Sequence, residues 1–311
     1  RKTVVPDRYL RMRGSKRRSS SSGTVVAIGE QPVAHPSGIP ARAIVIETDG
    51  LDEAAAPSWT PLPDYRQAEP HMLRDIVREA GIAGLGGATF PSFIKLNPGR
   101  PVDALVINGA ECEPYISCDQ MLMTENAQEI VAGIGVMLHA LQAPRCIIGV
   151  EDNKPAAIAA LEKAAEVDGR IRVVTVPTRY PQGGEKQLIQ TLTGREVPSQ
   201  GLPLDIGIIC HNPGTTRAVY RAVVHGEPLI DRVVSVTGRA VREPQNMRAR
   251  IGTPLSFLLD LAGGLKVPAA RLVMGGPMMG ITLRDADVPM VKATNCILAM
   301  PAEDVRPPEA A

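Results

Sequence analysis

The sequence predicts an α/β protein built around a parallel, doubly wound sheet, with smaller β units before and after it in the chain. Three patterns carry that expectation. Between residues 64 and 230 short apolar strands alternate with helices, the order that gives a parallel sheet covered by helices. The loops rich in glycine and polar residues follow strand ends, where such sheets bind ligands. Residues 23 to 50 and 231 to 284 read instead as strands and turns with little helix.

Composition narrows the function classes. With 311 residues the chain has material for roughly two domains. A net charge of +1 gives no electrostatic reason to expect nucleic acid as a partner, and 3% aromatic residues argue against base-stacking surfaces. No apolar run is long enough for a membrane-spanning helix. The cysteines, Cys112, Cys118, Cys146, Cys210 and Cys296, are odd in number and form no C-x-x-C pair, which points to a reducing compartment rather than a disulfide framework.

Taken in order, residues 1 to 22 read as a disordered basic segment, ending in a serine run. Strands over Thr24–Ile28 and Ala41–Ile46 form part of a β module that must pack on something else. Residues 51 to 63 are a linker with Trp59 as an anchor against a neighbouring domain. Met72, Leu73, Ile76 and Val77 recur at helical spacing, and Gly81 stops that helix. The core strands are Ala104–Asn108, Cys146–Val150, Ile171–Val176 and Ile206–Cys210. Helices follow over Thr124–Leu141, Pro155–Ala165, Gln187–Leu192 and Thr216–His225. After Arg232 come a strand, a helix over Pro254–Leu261 and a strand into the turn at Gly275 and Gly276. Residues 285 to 311 read as a tail with one strand.

The most informative stretch is Gly81-Ile-Ala-Gly84-Leu-Gly86-Gly87-Ala88-Thr89-Phe90-Pro91, continuing to Lys95. So many glycines disfavour helix and strand, and suit a loop with positive φ or close backbone approach. Such a loop presents N–H groups, a following helix adds its positive end, and Lys95 adds a point charge; together they make an anion cradle. The stretch is neither a P-loop nor a dinucleotide fingerprint, since Thr89 occupies the third glycine position of G-x-G-x-x-G.

Four motifs occur in order: Gly84-x-Gly86-Gly87-Ala88-x-Phe90-Pro91 with Lys95; Asn108-Gly-Ala-Glu111-Cys-Glu113-Pro114 with Cys118-Asp119; Gly183-Gly184-Glu185-Lys186; and Asn212-x-Gly214-Thr215. Together they resemble the C subunit of the Rnf electron-transport complex, a family related to the NADH-oxidising flavoprotein subunit of respiratory complex I. The resemblance implies a Rossmann-like domain for FMN and NADH over residues 64 to 230. It also implies a β-grasp (SLBB) domain over 231 to 284 and a partial barrel-sandwich module over 23 to 50. On this likeness Gly84, Gly86, Gly87 and Ala88 line the nucleotides and Lys95 holds the FMN phosphate. Phe90 stacks on an NADH ring, and Asn108 bonds the flavin edge. Glu111 and Glu113 are the acidic pair beside flavin and nicotinamide. Tyr180, Gly183 and Glu185 close the other side of the flavin, with Asn212 and Thr215 near its phosphate.

The resemblance further implies a peripheral subunit on the cytoplasmic face of a membrane complex, oxidising NADH and passing electrons through 4Fe-4S clusters toward ferredoxin. The cysteine runs that hold those clusters in the family are absent here, so this chain is expected to accept a hydride without its own one-electron exit. Read alone, Asn108 and Asn212 also suit caps or turns, and Glu111 and Glu113 suit solvated acids. An alternative is a non-catalytic scaffold, like the A subunit of the sodium-pumping NADH:quinone reductase. A third reading is a cobalamin or other soluble-ligand binder acting through the β-grasp unit.

Overall fold

The structure, a computed structural model, describes residues 2–6, 19–35 and 37–305. Its first element is β1 (Lys2–Pro6), which pairs with β3 (Ala41–Thr48); β2 (Gly23–Gln31) pairs with the other edge of β3, all antiparallel. The expectation of disorder over residues 1 to 22 therefore fails at Lys2–Pro6. Thr3 and Val5 are buried there, because alternate residues of this short run face inward. Residues 7–18 of the basic segment lie outside the described residues.

Residues 56–113 and 119–229 form one compact unit. Its elements are α1 (Pro70–Glu79), a single turn α2 (Ser92–Lys95), β4 (Ala104–Gly109), α3 (Cys118–Glu125, from Asp119 onward) and α4 (Ala127–Leu141). They continue with β5 (Cys146–Glu151), α5 (Pro155–Ala165), β6 (Ile171–Val176), α6 (Glu185–Thr193), β7 (Ile208–His211) and α7 (Pro213–His225). The strands are parallel in the order β6-β5-β4-β7. The chain moves outward from β4 through β5 to β6, then returns to the other side of β4. Right-handed crossovers consequently put α4 and α5 on one face and α6 on the other. Leu188 and Ile189 of α6 cover Val106, Val176, Ile208 and Cys210. Leu105, Ile107 and Ile148 point to the opposite face and are fully buried.

Two glycines set this packing. A Cβ on Gly133 of α4 would lie 2.2 Å from the Thr216 carbonyl oxygen, so only glycine lets α4 and α7 approach so closely. Gly81, with φ +70°, ends α1 as expected, and Ile82 N–H closes back on the Val77 carbonyl at 3.1 Å. Trp59 anchors the linker on the domain that follows it, as expected: its Nε1 donates to the Ala222 carbonyl of α7 at 3.0 Å.

The second unit comprises the described parts of residues 1–55, 114–118 and 230–311. It adds β8 (Asp231–Thr237), β9 (Gln245–Arg250), α8 (Leu255–Leu261), β10 (Arg271–Met274), β11 (Ile281–Leu283) and β12 (Cys296–Met300). The sheet order is β11-β10-β12-β8-β9. The sheet runs on past residue 284. β12 lies in the middle of the sheet, parallel to β8, with Cys296, Ile297, Leu298 and Ala299 buried. The N-terminal sheet belongs to the same unit, since Val4 N–H donates to the Gly252 carbonyl at 3.0 Å and Arg250 Nη1 to that of Ser20 at 2.8 Å.

Candidate functional site

The parallel sheet has one topological switch point, between β4 and β7, where the connections leave in opposite directions. Crevices at such points are where open α/β sheets bind ligands. The loops after β4 and β7, the glycine loop and the start of α6 all contribute here.

The glycine loop is closed at its base by Gly84 N–H to the Phe90 carbonyl, 2.8 Å, and by Ser92 N–H to that of Ile82, 3.0 Å. Leu85 N–H donates to Thr215 Oγ1 at 2.9 Å. Beyond that point the backbone N–H groups of Gly86, Gly87, Ala88 and Thr89 find no acceptor among the described residues. Gly87 has φ +107° and Thr89 φ +50°. A Cβ on Gly87 would meet nothing within 4 Å, so the loop opens to free space there. The helix that follows the loop is only the one-turn α2. The N-terminus of α7 stands beside the loop instead, and a Cβ on Gly86 would lie 3.6 Å from Asn212 Cβ.

Lys95 reaches from α2 to the strand ends. Its Nζ donates to Glu185 Oε1 at 2.8 Å and to the Cys210 carbonyl at 3.0 Å. Glu185 is the first residue of α6, where a carboxylate suits the helix dipole. The structure thus joins two predicted site residues in one ion pair, about a third exposed. Asn108 is similarly engaged: Nδ2 donates to the Gly183 carbonyl at 2.8 Å, and Oδ1 accepts from Ala110 N–H at 3.2 Å. Gly183 presses so tightly on the end of β4 that a Cβ would sit 2.3 Å from the Ala110 carbonyl oxygen.

Asn212 caps α7, its Oδ1 accepting from Gly214 N–H at 2.8 Å and Thr215 N–H at 3.4 Å. Its Nδ2 donates to Asp119 Oδ2 at 2.6 Å. Thr215 is fully buried. Glu111 accepts from Asp119 N–H at 2.9 Å and Gln120 N–H at 3.1 Å, capping α3. Burial, followed by the neighbouring Asp119 charge, raises its pKa from 4.5 to about 7. Glu113 follows, half-buried. Phe90 and Tyr180 present large rings to solvent, 46% and 42% exposed. At the end of β7, His211 is buried with no partner for Nε2 among the described residues, and burial holds its pKa down at about 3.

The arrangement offers backbone N–H donors and an ammonium group for an anion, two exposed rings for a planar aromatic system, and a carboxyl that titrates near neutrality. These features fit a phosphorylated flavin. An open groove of about 850 Å³ between Tyr65, Glu129, Lys163 and Tyr220 contains none of these residues.

Residues 77–221 match the Nuo51 FMN-binding domain and residues 233–282 the SLBB domain. The chain is 51% identical over 293 residues to the C subunit of the ion-translocating oxidoreductase complex of Pseudomonas aeruginosa, covering 93% of this chain and 37% of that protein. Its counterpart in Vibrio cholerae is 49% identical over 286 residues, covering 90% and 36%. Over the stretch they share, the chain is similar to these C subunits. It spans little more than a third of those relatives' length. A chain of an NAD+-reducing [NiFe]-hydrogenase, solved in the H2-reduced state, superimposes with a TM-score of 0.64 at 21% identity, over 77% of this chain and 49% of that one. That likeness shows a shared fold, as expected for a mixed α/β chain with a parallel sheet, an SLBB domain and an antiparallel N-terminal sheet. The chain thus carries a stretch matching an FMN-binding domain, followed by one matching an SLBB domain. Among the described residues no helix is long and apolar enough to cross a membrane.

Sequence reasoning gave no role to Asp119, which lies in the second of the four motifs, and missed α3 altogether. The available signal was the carboxylate of Glu111 placed seven residues ahead of a helix start.

Proposed function

We propose that this chain holds FMN at the β4/β7 switch point and oxidises NADH there, as part of an ion-translocating redox complex. The observation that carries the reading is the open run of N–H groups over Gly86–Thr89, beside Lys95 and inside the stretch matching an FMN-binding domain. The phosphate would rest on those N–H groups and on Lys95. Phe90 and Tyr180 would flank the rings of flavin and nicotinamide. Glu111 and Glu113 would face the reacting edge, with Gly84, Gly183 and Glu185 bordering it. Bound flavin supplies hydride acceptance; the protein supplies orientation and electrostatics. Electrons would then pass to iron–sulfur clusters held outside this chain and on toward ferredoxin. The protein would sit peripherally on the cytoplasmic face of the membrane complex.

One observation favours the scaffold alternative: Lys95, Asn108, Asn212 and Thr215 already bond to groups of the protein itself. Titrating FMN against the purified chain, then adding NADH without oxygen, separates the readings. Quenched flavin fluorescence followed by bleaching of flavin absorbance supports the enzyme. Absence of binding supports the scaffold.

A further inference from the structure

One hydrogen-bond chain ties together the glycine loop, the start of α7, the start of α3 and the loop after β4. It runs from Leu85 N–H to Thr215 Oγ1, 2.9 Å, and from Gly214 and Thr215 N–H to Asn212 Oδ1, 2.8 and 3.4 Å. It continues from Asn212 Nδ2 to Asp119 Oδ2, 2.6 Å, and from Asp119 N–H to Glu111 Oε1, 2.9 Å. The central link decides the rest. The amide of Asn212 has nearly the same shape either way round. Turned over, it would set its NH2 against the N–H groups of Gly214 and Thr215 and its oxygen against a carboxylate. The Asp119 carboxylate only accepts hydrogen bonds, so it selects the orientation in which Asn212 caps α7.

We propose that Asp119 is the positioning residue of the flavin site. By fixing the Asn212 amide it holds the start of α7, and through Thr215 the glycine loop, in register with the Glu111 turn. The inference rests on the FMN reading given above, but half of its test does not. Asp119 itself need not touch the flavin. It sets where the open N–H groups of Gly86 to Thr89 point.

The test uses the full chain with four variants, read by FMN quenching and by hydrogen–deuterium exchange at Leu85 and Thr215. Asp119→Ala should weaken FMN by about ten-fold, the scale of a lost charge-assisted hydrogen bond, and speed exchange at both amides. Asn212→Asp sets two carboxylates face to face and should do the same. Adding Asp119→Asn to that variant restores a donor–acceptor pair with the polarity reversed, so flavin affinity and slow exchange should return. Asp119→Asn alone keeps an acceptor but can turn over together with Asn212, so its loss should be smaller than that of Asp119→Ala.

A double variant no better than Asn212→Asp overturns the proposal. So does Asp119→Ala that melts earlier yet, well below its midpoint, binds FMN and exchanges as the wild type does. If Asp119→Ala fails to fold, the comparison of Asn212→Asp with the double variant decides. Failure of the wild type to bind any flavin would remove the FMN reading, and the exchange arm would then decide the positioning role by itself.

Discussion

The glycine loop and the loops after β4 and β7 meet at the same strand ends, yet they dispose of their polar groups in opposite ways. Gly86 to Thr89 leave successive backbone N–H groups without acceptors among the described residues, whereas Asn108, Glu111, Asn212 and Thr215 are all hydrogen-bonded within the protein. The difference separates frame from contact surface. Side chains with strong hydrogen-bonding capacity hold the loops in place; backbone, exposed rings and the one Lys95 N–H beyond those given to Glu185 and the Cys210 carbonyl are what remain to meet a ligand. A motif residue can therefore matter to a site while touching only its neighbours.

The largest expected effect comes from breaking the frame. Gly183→Ala puts a methyl 2.3 Å from the Ala110 carbonyl oxygen and 2.9 Å from Cys112 Sγ. Backbone has to move, so urea unfolding should show a loss of about 2–3 kcal/mol, together with loss of FMN binding. Unchanged stability would mean the β4 and α6 ends are loosely joined. On the contact side, Lys95→Ala should weaken FMN about ten-fold while leaving riboflavin, which lacks the phosphate, unaffected. An equal loss for both flavins would move Lys95 from the contact surface to the frame.

Gly87→Ala sharpens the comparison further. Its methyl meets open space, but φ +107° strains any L side chain, so a cost of about 1 kcal/mol is expected by thermal unfolding. If the loop is contact surface, flavin affinity falls more than stability does. The last expectation is a pH dependence and concerns Glu111. Its pKa in the folded protein lies near 7, above the ordinary 4.5. Its contribution to stability is thus intact below about pH 4.5 and is lost as pH rises through about 7. Glu111→Gln should flatten that part of the stability–pH curve; an unchanged slope would assign the titration to another group.

Much of this fold was legible in the sequence because the buried strands are short and apolar. Ala104 to Ile107 and Ile171 to Val176 read as strands before any contact is known, and α5 occupies the predicted Pro155–Ala165. What was not legible had no pattern to read. In α3 the apolar Met121, Leu122 and Met123 are consecutive rather than spaced at helical intervals. β9, Gln245-Asn-Met-Arg-Ala-Arg250, is an edge strand whose side chains are mostly polar. Lys2 to Pro6 looked like part of a disordered basic segment because its pairing partner lies some forty residues away. The glycine loop was recognised, but not that α7 rather than a following helix would stand beside it. That depends on Leu85 meeting Thr215, a contact across 130 positions.

The placement of β12 carries a consequence for biosynthesis. A ribosome delivers β8, β9, β10 and β11 first, yet β8 and β10 are joined only through β12, whose Leu298 pairs with both Val273 and Thr237. Until residue 300 has emerged, the nascent sheet exists as two separate ribbons, each with a bare edge. The β-rich unit can then close only as a late event, with those edges in need of shelter while translation continues.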